Sequence, residues 1–462
     1  MNAGLTIKPT LTRRFFLRTG LASLSGYYLL PMVRPLNVRA ETKVKLRGEA
    51  DNCIFVFLSG GASQLDTFDL KEGRWTPPDF DIRTIKPGIV LPYGQFPNLS
   101  EQVDRLAIVR SVEAWESSHP RGVYYTQVGH PFSPARQKEV PSIGSVVAYE
   151  FLSRRRRGDF LPPFVAMNFG AGSLIQEGCL PNEASPLALD MRQESPFVVP
   201  QKDKSVFDRR WQLLQQLGGG VGNDPHSRAF KTYDQWNSYY SGAFQLMSSP
   251  RINQILTLDE EEHKRYGTSA LGDACLVARN LLQANAGTHY VAISHNGWDF
   301  HANMFDKSAK VNHYTVCKEL DDALSALITD LLKHKTAEGK ALLDKTFIVC
   351  TGEFGRTGGD LTVNKGRDHN RMAQTVLFAG SGVQGGRAFG VTDEKGVKVV
   401  KPEWNKKRSI YTEDIVATIY SQLGIDWSKR ITNTPSGRAF DYLEPVSATD
   451  FVDISEISTL FG

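Results

Sequence analysis

Short apolar runs rich in β-branched residues recur along this chain between stretches with helical spacing. The clearest runs span residues 53–58, 106–109, 164–167, 289–293, 346–350 and 375–378. Runs of this length without polar alternation predict strands buried on both faces, hence an α/β fold with a mostly parallel sheet and helices on both sides. Between the fourth and fifth runs, Val316, Leu320, Leu324, Leu327, Ile328 and Leu331 recur at three- and four-residue spacing. That pattern predicts a long amphipathic helix and a strand, helix, strand crossover. A closing helix is predicted from Thr412, with Glu413 and Asp414 in its first turn, through Ile415, Ile419 and Leu423 to a stop at Gly424.

The segment 199–286 carries little strand signal and several helical stretches, 207–217 and 228–247 among them, broken by a glycine-rich run at 218–224. It reads as a helical insertion or cap over the sheet. Arg154, Arg155, Arg156 and Arg157 close an apolar helical stretch before Gly158 and read as a solvated helix end that complements the helix dipole.

Composition changes the picture mainly at the amino end. Of 462 residues, 41% are hydrophobic and 23% charged, which suits a globular chain and excludes a disordered or membrane-integral one. The formal charge of +4 comes from a leader. The first 40 residues hold six of the 54 basic side chains and no acidic one, so the remainder has 48 basic against 50 acidic residues, a net charge of −2. Nucleic-acid binding needs a basic face on the folded domain and is disfavoured. Arg13 and Arg14 precede Phe15, Phe16, Leu17 and Arg18, an apolar stretch at 21–30 follows, and Val38, Arg39 and Ala40 complete a small-x-small cleavage pattern. Residues 1–40 therefore resemble a twin-arginine signal, and the expectation is export by the twin-arginine machinery to the periplasm or beyond, with 41–462 as the working domain. The five cysteines form no CxxC pair, which argues against a thiolate zinc site and for small buried hydrophobes.

In parallel α/β sheets, ligands bind beyond the carboxyl ends of the strands. Here the residues after the predicted strands are polar: Asp66 follows the first, Ser117, Ser118, His119 and Arg121 the second, Asp299 and His301 the fourth, Glu353 and Arg356 the fifth, with Asp368 and His369 soon after. Carboxylates and imidazoles on one rim suit a divalent metal such as zinc, manganese or calcium. Asp299 and His301, two apart, project to one side of an extended segment and can share an ion. Asp368 and His369 point apart, so either one is a ligand or the pair divides between two sites. His130, His226, His263, His289, His295, His313 and His334 lack a second carboxylate in register and read as structural.

Gly60, Gly61, Ser63, Asp66, Thr67, Phe68 and Asp69 combine with Gly297, Trp298, Asp299 and His301, with Glu353, Phe354, Gly355, Arg356 and Thr357, and with Gly366, Arg367, Asp368 and His369. This set resembles the bacterial family called domain of unknown function 1501, which is similar to sulfatases and sits in the alkaline phosphatase superfamily. The likeness covers nearly all of the chain beyond the leader. It implies an alkaline phosphatase-like fold and a metal-assisted hydrolase of sulfate or phosphate esters, on polysaccharide or lipid-headgroup substrates, in which one or two ions clamp the anionic group. Carried over, Asp66, Asp299, His301, Glu353 and His369 are the ligand candidates, and Asp368 is a reserve or orients His369. Arg121 or Arg356 would grip an ester oxygen. Gln64 and Phe300 depart from the histidine and threonine that the resemblance leads one to expect.

Sulfatases place the nucleophile, Cys or Ser, at a helix start with Arg four residues on. Ser117 stands four before Arg121 and no cysteine is there, which argues against a formylglycine made from cysteine at that position. Ser117 and His119 join the two arginines as catalytic candidates, with Ser118, Thr67 and Ser63 as competitors for the hydroxyl and a plain turn or cap role open to all four. The alternative to a hydrolase is a non-catalytic periplasmic binding or scaffold protein that keeps the fold and a structural metal.

Overall fold

The chain divides into two units, Met1–Val44 and Lys45–Gly462, of which the second is described below. A computed structural model describes residues 44–170, 172–192, 204–218, 250–434, 436–444 and 453–462. The leader and the helix expected at 228–247 lie outside the described residues, as does His226.

The second unit is built on an eight-stranded sheet. In chain order its members are β1 (Asn52–Ser59), β2 (Leu106–Val112), β3 (Phe164–Met167), β4 (Leu187–Leu189), β5 (Tyr290–Asn296), β6 (Thr346–Gly352), β9 (Gln374–Ala379) and β10 (Arg387–Phe389); a separate two-residue ribbon, β7 (Gly355–Arg356) with β8 (His369–Asn370), stands between β6 and β9. The spatial order is β10-β2-β9-β6-β1-β5-β3-β4. All six predicted runs are strands, and β1 lies in the middle, paired in parallel with β5 on one side and β6 on the other. Its sequence NCIFVFLS is buried except at the last residue, as a central parallel strand covered on both faces requires.

Strand β9 runs antiparallel to both of its neighbours, β2 and β6. The cause is local. After β6 the chain stays at the carboxyl edge for residues 353–373, folds back on itself in the β7/β8 ribbon, and re-enters the sheet from that same edge. Residues 353–373 therefore form an excursion that never leaves the rim.

Five helices matter for the argument: α1 (His119–Val128), α2 (Ile143–Leu152), α3 (Ala270–Ala284), α4 (His313–Lys333) and α5 (Thr412–Gln422). The apolar stripe of α4 is buried as its periodicity requires, and it packs with α3 and with Ile54, Val56, Val291 and Ile293 of the sheet in one core. A reciprocal capping box fixes its start: Thr315 N–H donates to Asn312 Oδ1 and Asn312 N–H to Thr315 Oγ1, both at 3.0 Å. Helix α3 closes the segment read as an insertion, and it is a core helix, because ten of its residues turn inward. Four of the five cysteines are buried and free, as small hydrophobes are. Arg155 and Arg156 at the end of α2 are tied to Leu161, Asp159 and Asn285. Among the described residues no helix is long and apolar enough to cross a membrane.

Candidate metal centre

Strands β1, β5 and β6 end side by side, and the next residues of each reach the same place. Ser59 is level with Asn296 and Leu58 with Gly352. Gly60 takes a φ of +109°, and a Cβ there would stand 2.5 Å from the Asp299 nitrogen. Only glycine lets the turn after β5 come this close. That turn delivers Asp299 and His301; β6 delivers Glu353 directly; the β7/β8 ribbon, with His369 opposite Arg356, delivers His369. The first residue of α1 delivers His119.

His119, Asp299, His301 and His369 each offer one ligand atom within 4.8 Å of the others. What faces the far side of each ring decides the protonation. His119 Nδ1 lies 2.8 Å from Glu353 Oε1, His301 Nδ1 2.8 Å from Asp368 Oδ1, and His369 Nδ1 2.7 Å from the Ser117 carbonyl. Each partner only accepts, so each Nδ1 carries a proton, and it is the neutral form of each ring whose Nε2 presents a lone pair to an ion. Those lone pairs converge. His301 Nε2 and His369 Nε2 are 3.0 Å apart, Asp299 Oδ1 is 3.0 Å from His301 Nε2, and His119 Nε2 is 3.1 Å from the same oxygen. Yet His119 Nε2 is buried with no hydrogen-bond partner. Acceptors aimed at acceptors repel unless a cation stands between them. Three imidazoles and one carboxylate make the N₃O donor set that suits a four-coordinate transition ion.

The sequence matches the family described as "Protein of unknown function (DUF1501)" over residues 50–449. The chain belongs to that family. A search of the curated proteins finds no significant match. In outline the fold resembles that of a protein in the alkaline phosphatase superfamily from Vibrio parahaemolyticus, with 13% identity over 83% of this chain and 68% of that one and a TM-score of 0.38. A phosphonate monoester hydrolase from Silicibacter pomeroyi shares 10% identity over 89% and 77% of the two chains at 0.38. A sulfatase from Pseudoalteromonas sp. shares 12% over 82% and 68% at 0.36. Likenesses this distant fix no residue's role.

In this DUF1501 chain the remaining site candidates separate by what holds them. Asp66 stands outside the group of four. It is 1% exposed, and Arg367 grips it with Nε at 2.6 Å from Oδ2 and Nη2 at 3.1 Å from Oδ1, while Ser63 donates to it at 2.5 Å. Both of its oxygens are engaged in this buried ion pair, apart from the four converging groups. Glu353 likewise stands outside the group of four: its oxygens accept from Gly60 N–H at 3.0 and 3.2 Å and hold His119. Asp368 orients His301, where the sequence reading has it orient His369; the Ser117 carbonyl does that instead. His119, read as a catalytic candidate, stands among the four.

Arg356 is buried, and its donors go to the Gly60, Gly61 and Arg367 carbonyls and, at 2.5 Å, to Asp299 Oδ1. It is a brace for the turns rather than a free anion clamp. Arg121 pairs with Glu116 at 3.2 Å. Gln64 bonds the Arg356 backbone at both ends, Nε2 to its carbonyl and Oε1 from its N–H, each at 2.7 Å. An amide gives one donor and one acceptor in that spacing, which explains a glutamine here. Ser117 and Ser118 are exposed beside the centre, and the Ser118 hydroxyl makes no capping bond although Ser118 is the N-cap of α1. Ser63 Oγ is taken by Asp66 and Thr67 Oγ1 by the Ser63 carbonyl, which leaves both as turn residues.

Charge follows geometry. The Glu353 hydrogen bond raises the pKa of His119, against burial and with help from the Glu353 and Asp299 charges. Burial would lift Asp299, but the Arg356 hydrogen bond and charge, with His119 and His301, hold its carboxyl below the ordinary value. Burial chiefly, with Arg356 and whatever charge His119 and His301 carry, lowers His369 against the Ser117 hydrogen bond, which favours a free Nε2 lone pair. Of the histidines read as structural, His295 is satisfied by Glu319 and Trp298, and His313 is buried against Cys317.

Proposed function

We propose that this chain is an exported, metal-dependent hydrolase of sulfate or phosphate esters. The observation that carries the reading is the convergence of three imidazole Nε2 atoms and the Asp299 carboxylate on one point, with the His119 nitrogen left unpaired. A bound divalent ion would supply a Lewis acid that withdraws charge from an ester oxygen and acidifies an attacking hydroxyl or water. Zinc or manganese suits three imidazoles; calcium, which takes oxygen ligands, does not.

The chain's own groups do the rest. Glu353, Asp368 and the Ser117 carbonyl hold the rings in the lone-pair orientation. Arg356 keeps Asp299 ionised. Helix α1 points its first turn at the centre and adds partial positive charge where an anion would sit. The Ser118 hydroxyl at that N-cap is free to attack, and Ser117 is its neighbour. Sulfated or phosphorylated polysaccharides and lipid headgroups are the substrate classes an exported enzyme of this chemistry would meet.

One observation favours the second reading, a non-catalytic metal-binding protein: among the described residues no side-chain hydroxyl is hydrogen-bonded to any of the four centre residues. Turnover of aryl sulfate and aryl phosphate esters by the purified chain separates the two. The hydrolase reading expects activity that chelation abolishes and zinc or manganese restores. Stoichiometric metal without turnover of any ester would give the site to the second reading.

A further inference from the structure

Four guanidinium groups stand in the segments that build the centre, and three are spent. Arg356 braces carbonyls and Asp299, Arg367 grips Asp66 and the Thr357 and Gly359 carbonyls, and Arg121 pairs with Glu116. Arg371 is different. Its exposed side chain makes one long contact, Nη1 to the Trp115 carbonyl at 3.4 Å, and among the described residues no carboxylate pairs with it. Four of its five N–H groups are free.

Its position is set by the backbone on both sides. The Arg371 carbonyl accepts from Ala114 N–H at 2.8 Å, which ties this strand end to the loop before α1. Arg371 follows His369 by two residues, at the bend just beyond the β8 strand. They reach the same loop two residues apart, His369 at Ser117 and Arg371 at Trp115. Trp115 is itself fixed, stacked on Tyr411 with centroids 4.5 Å apart and planes 14° from parallel. The guanidinium thus lies against the same loop that holds His369, with its fork unfilled.

We propose that Arg371 forms an anion-binding position next to the centre and takes two terminal oxygens of a phosphate or sulfate group in a bidentate grip. A planar fork matches two tetrahedral oxyanion oxygens, whereas an ammonium offers a single charge. This rests on the hydrolase reading above and assigns the anion-gripping role, which the sequence leaves between Arg121 and Arg356, to a fourth residue.

The test uses the full chain loaded with zinc, with inorganic phosphate as the probe in titration calorimetry, alongside KM for an aryl ester and metal content. Arg371→Met should weaken phosphate binding and raise KM by about tenfold or more while metal content and thermal midpoint stay at the wild-type values; Arg371→Lys should recover only part of the loss. Phosphate binding by Arg371→Met equal to that of the wild type, with wild-type turnover present, would overturn the assignment and leave the hydrolase reading standing. A wild-type chain that neither binds phosphate nor turns over an ester would remove both.

Discussion

Asp66 and Asp299 both follow a strand at the carboxyl edge, and their neighbours set them apart. Asp66 is closed in with Arg367, so Asp66→Asn leaves a buried guanidinium without its counter-charge. It should cost about 3 to 5 kcal/mol of stability in urea unfolding while metal content is retained. Loss of the metal with unchanged stability would return Asp66 to the ligands. Glu353 touches the centre only through the proton on His119 Nδ1. Glu353→Gln should therefore weaken metal affinity by roughly 10- to 100-fold without abolishing it, as removal of an outer partner does elsewhere. Competition with a chelating dye measures this. The residue types of the site were legible in the sequence, but their pairings were not. Asp66 and Arg367 are 301 residues apart, and nothing local tells which acid at a rim closes on an arginine and which stays open. The two-residue spacing of Asp299 and His301 did foretell a shared side. His119 lacked such a signal, since Glu353, which holds its Nδ1, lies 234 positions away.

At the scale of elements, apolar runs located the six main strands because a strand buried on both faces has no other composition open to it. Short edge strands β4 and β10 escaped notice: three residues, with one buried in each strand, leave no pattern. The direction of β9 escaped too, because direction depends on where the preceding loop goes and not on the strand's own residues. Helix α5 was placed within one residue, its N-cap being Tyr411 rather than Thr412, but its acidic first turn is fully buried. Glu413 there accepts from the Tyr125 hydroxyl, and burial chiefly pushes its carboxyl from 4.5 up to about 8. The folded chain thus binds this proton more tightly than the unfolded chain. The stabilisation is complete below about 4.5 and is lost as pH rises from there to about 8. Its size is on the order of a few kcal/mol. Glu413→Gln keeps a neutral group in place, so the variant should match the wild type near pH 5 and exceed it in urea midpoint near pH 9. A wild-type advantage at the higher pH would contradict the buried, proton-holding carboxyl.

At the scale of the whole molecule, the α/β unit gathers its candidate chemistry on one rim, and the residues before it carry the twin-arginine resemblance. We expect the leader to act through Arg13 and Arg14. Changing both to lysine should strand full-length precursor in the cytoplasm, whereas a shortened form still appearing outside the inner membrane would remove the export proposal. The rim bears the central claim, that three imidazoles and one carboxylate hold a catalytic ion. Elemental analysis of the purified full chain, beside His301→Ala and Asp299→Ala, tests it most directly. The account predicts about one zinc or manganese per wild-type chain and a small fraction of that in either variant, because an N₃O set that loses one donor falls below four-coordination. Wild-type protein without bound metal, or variants that keep the full complement, would contradict it.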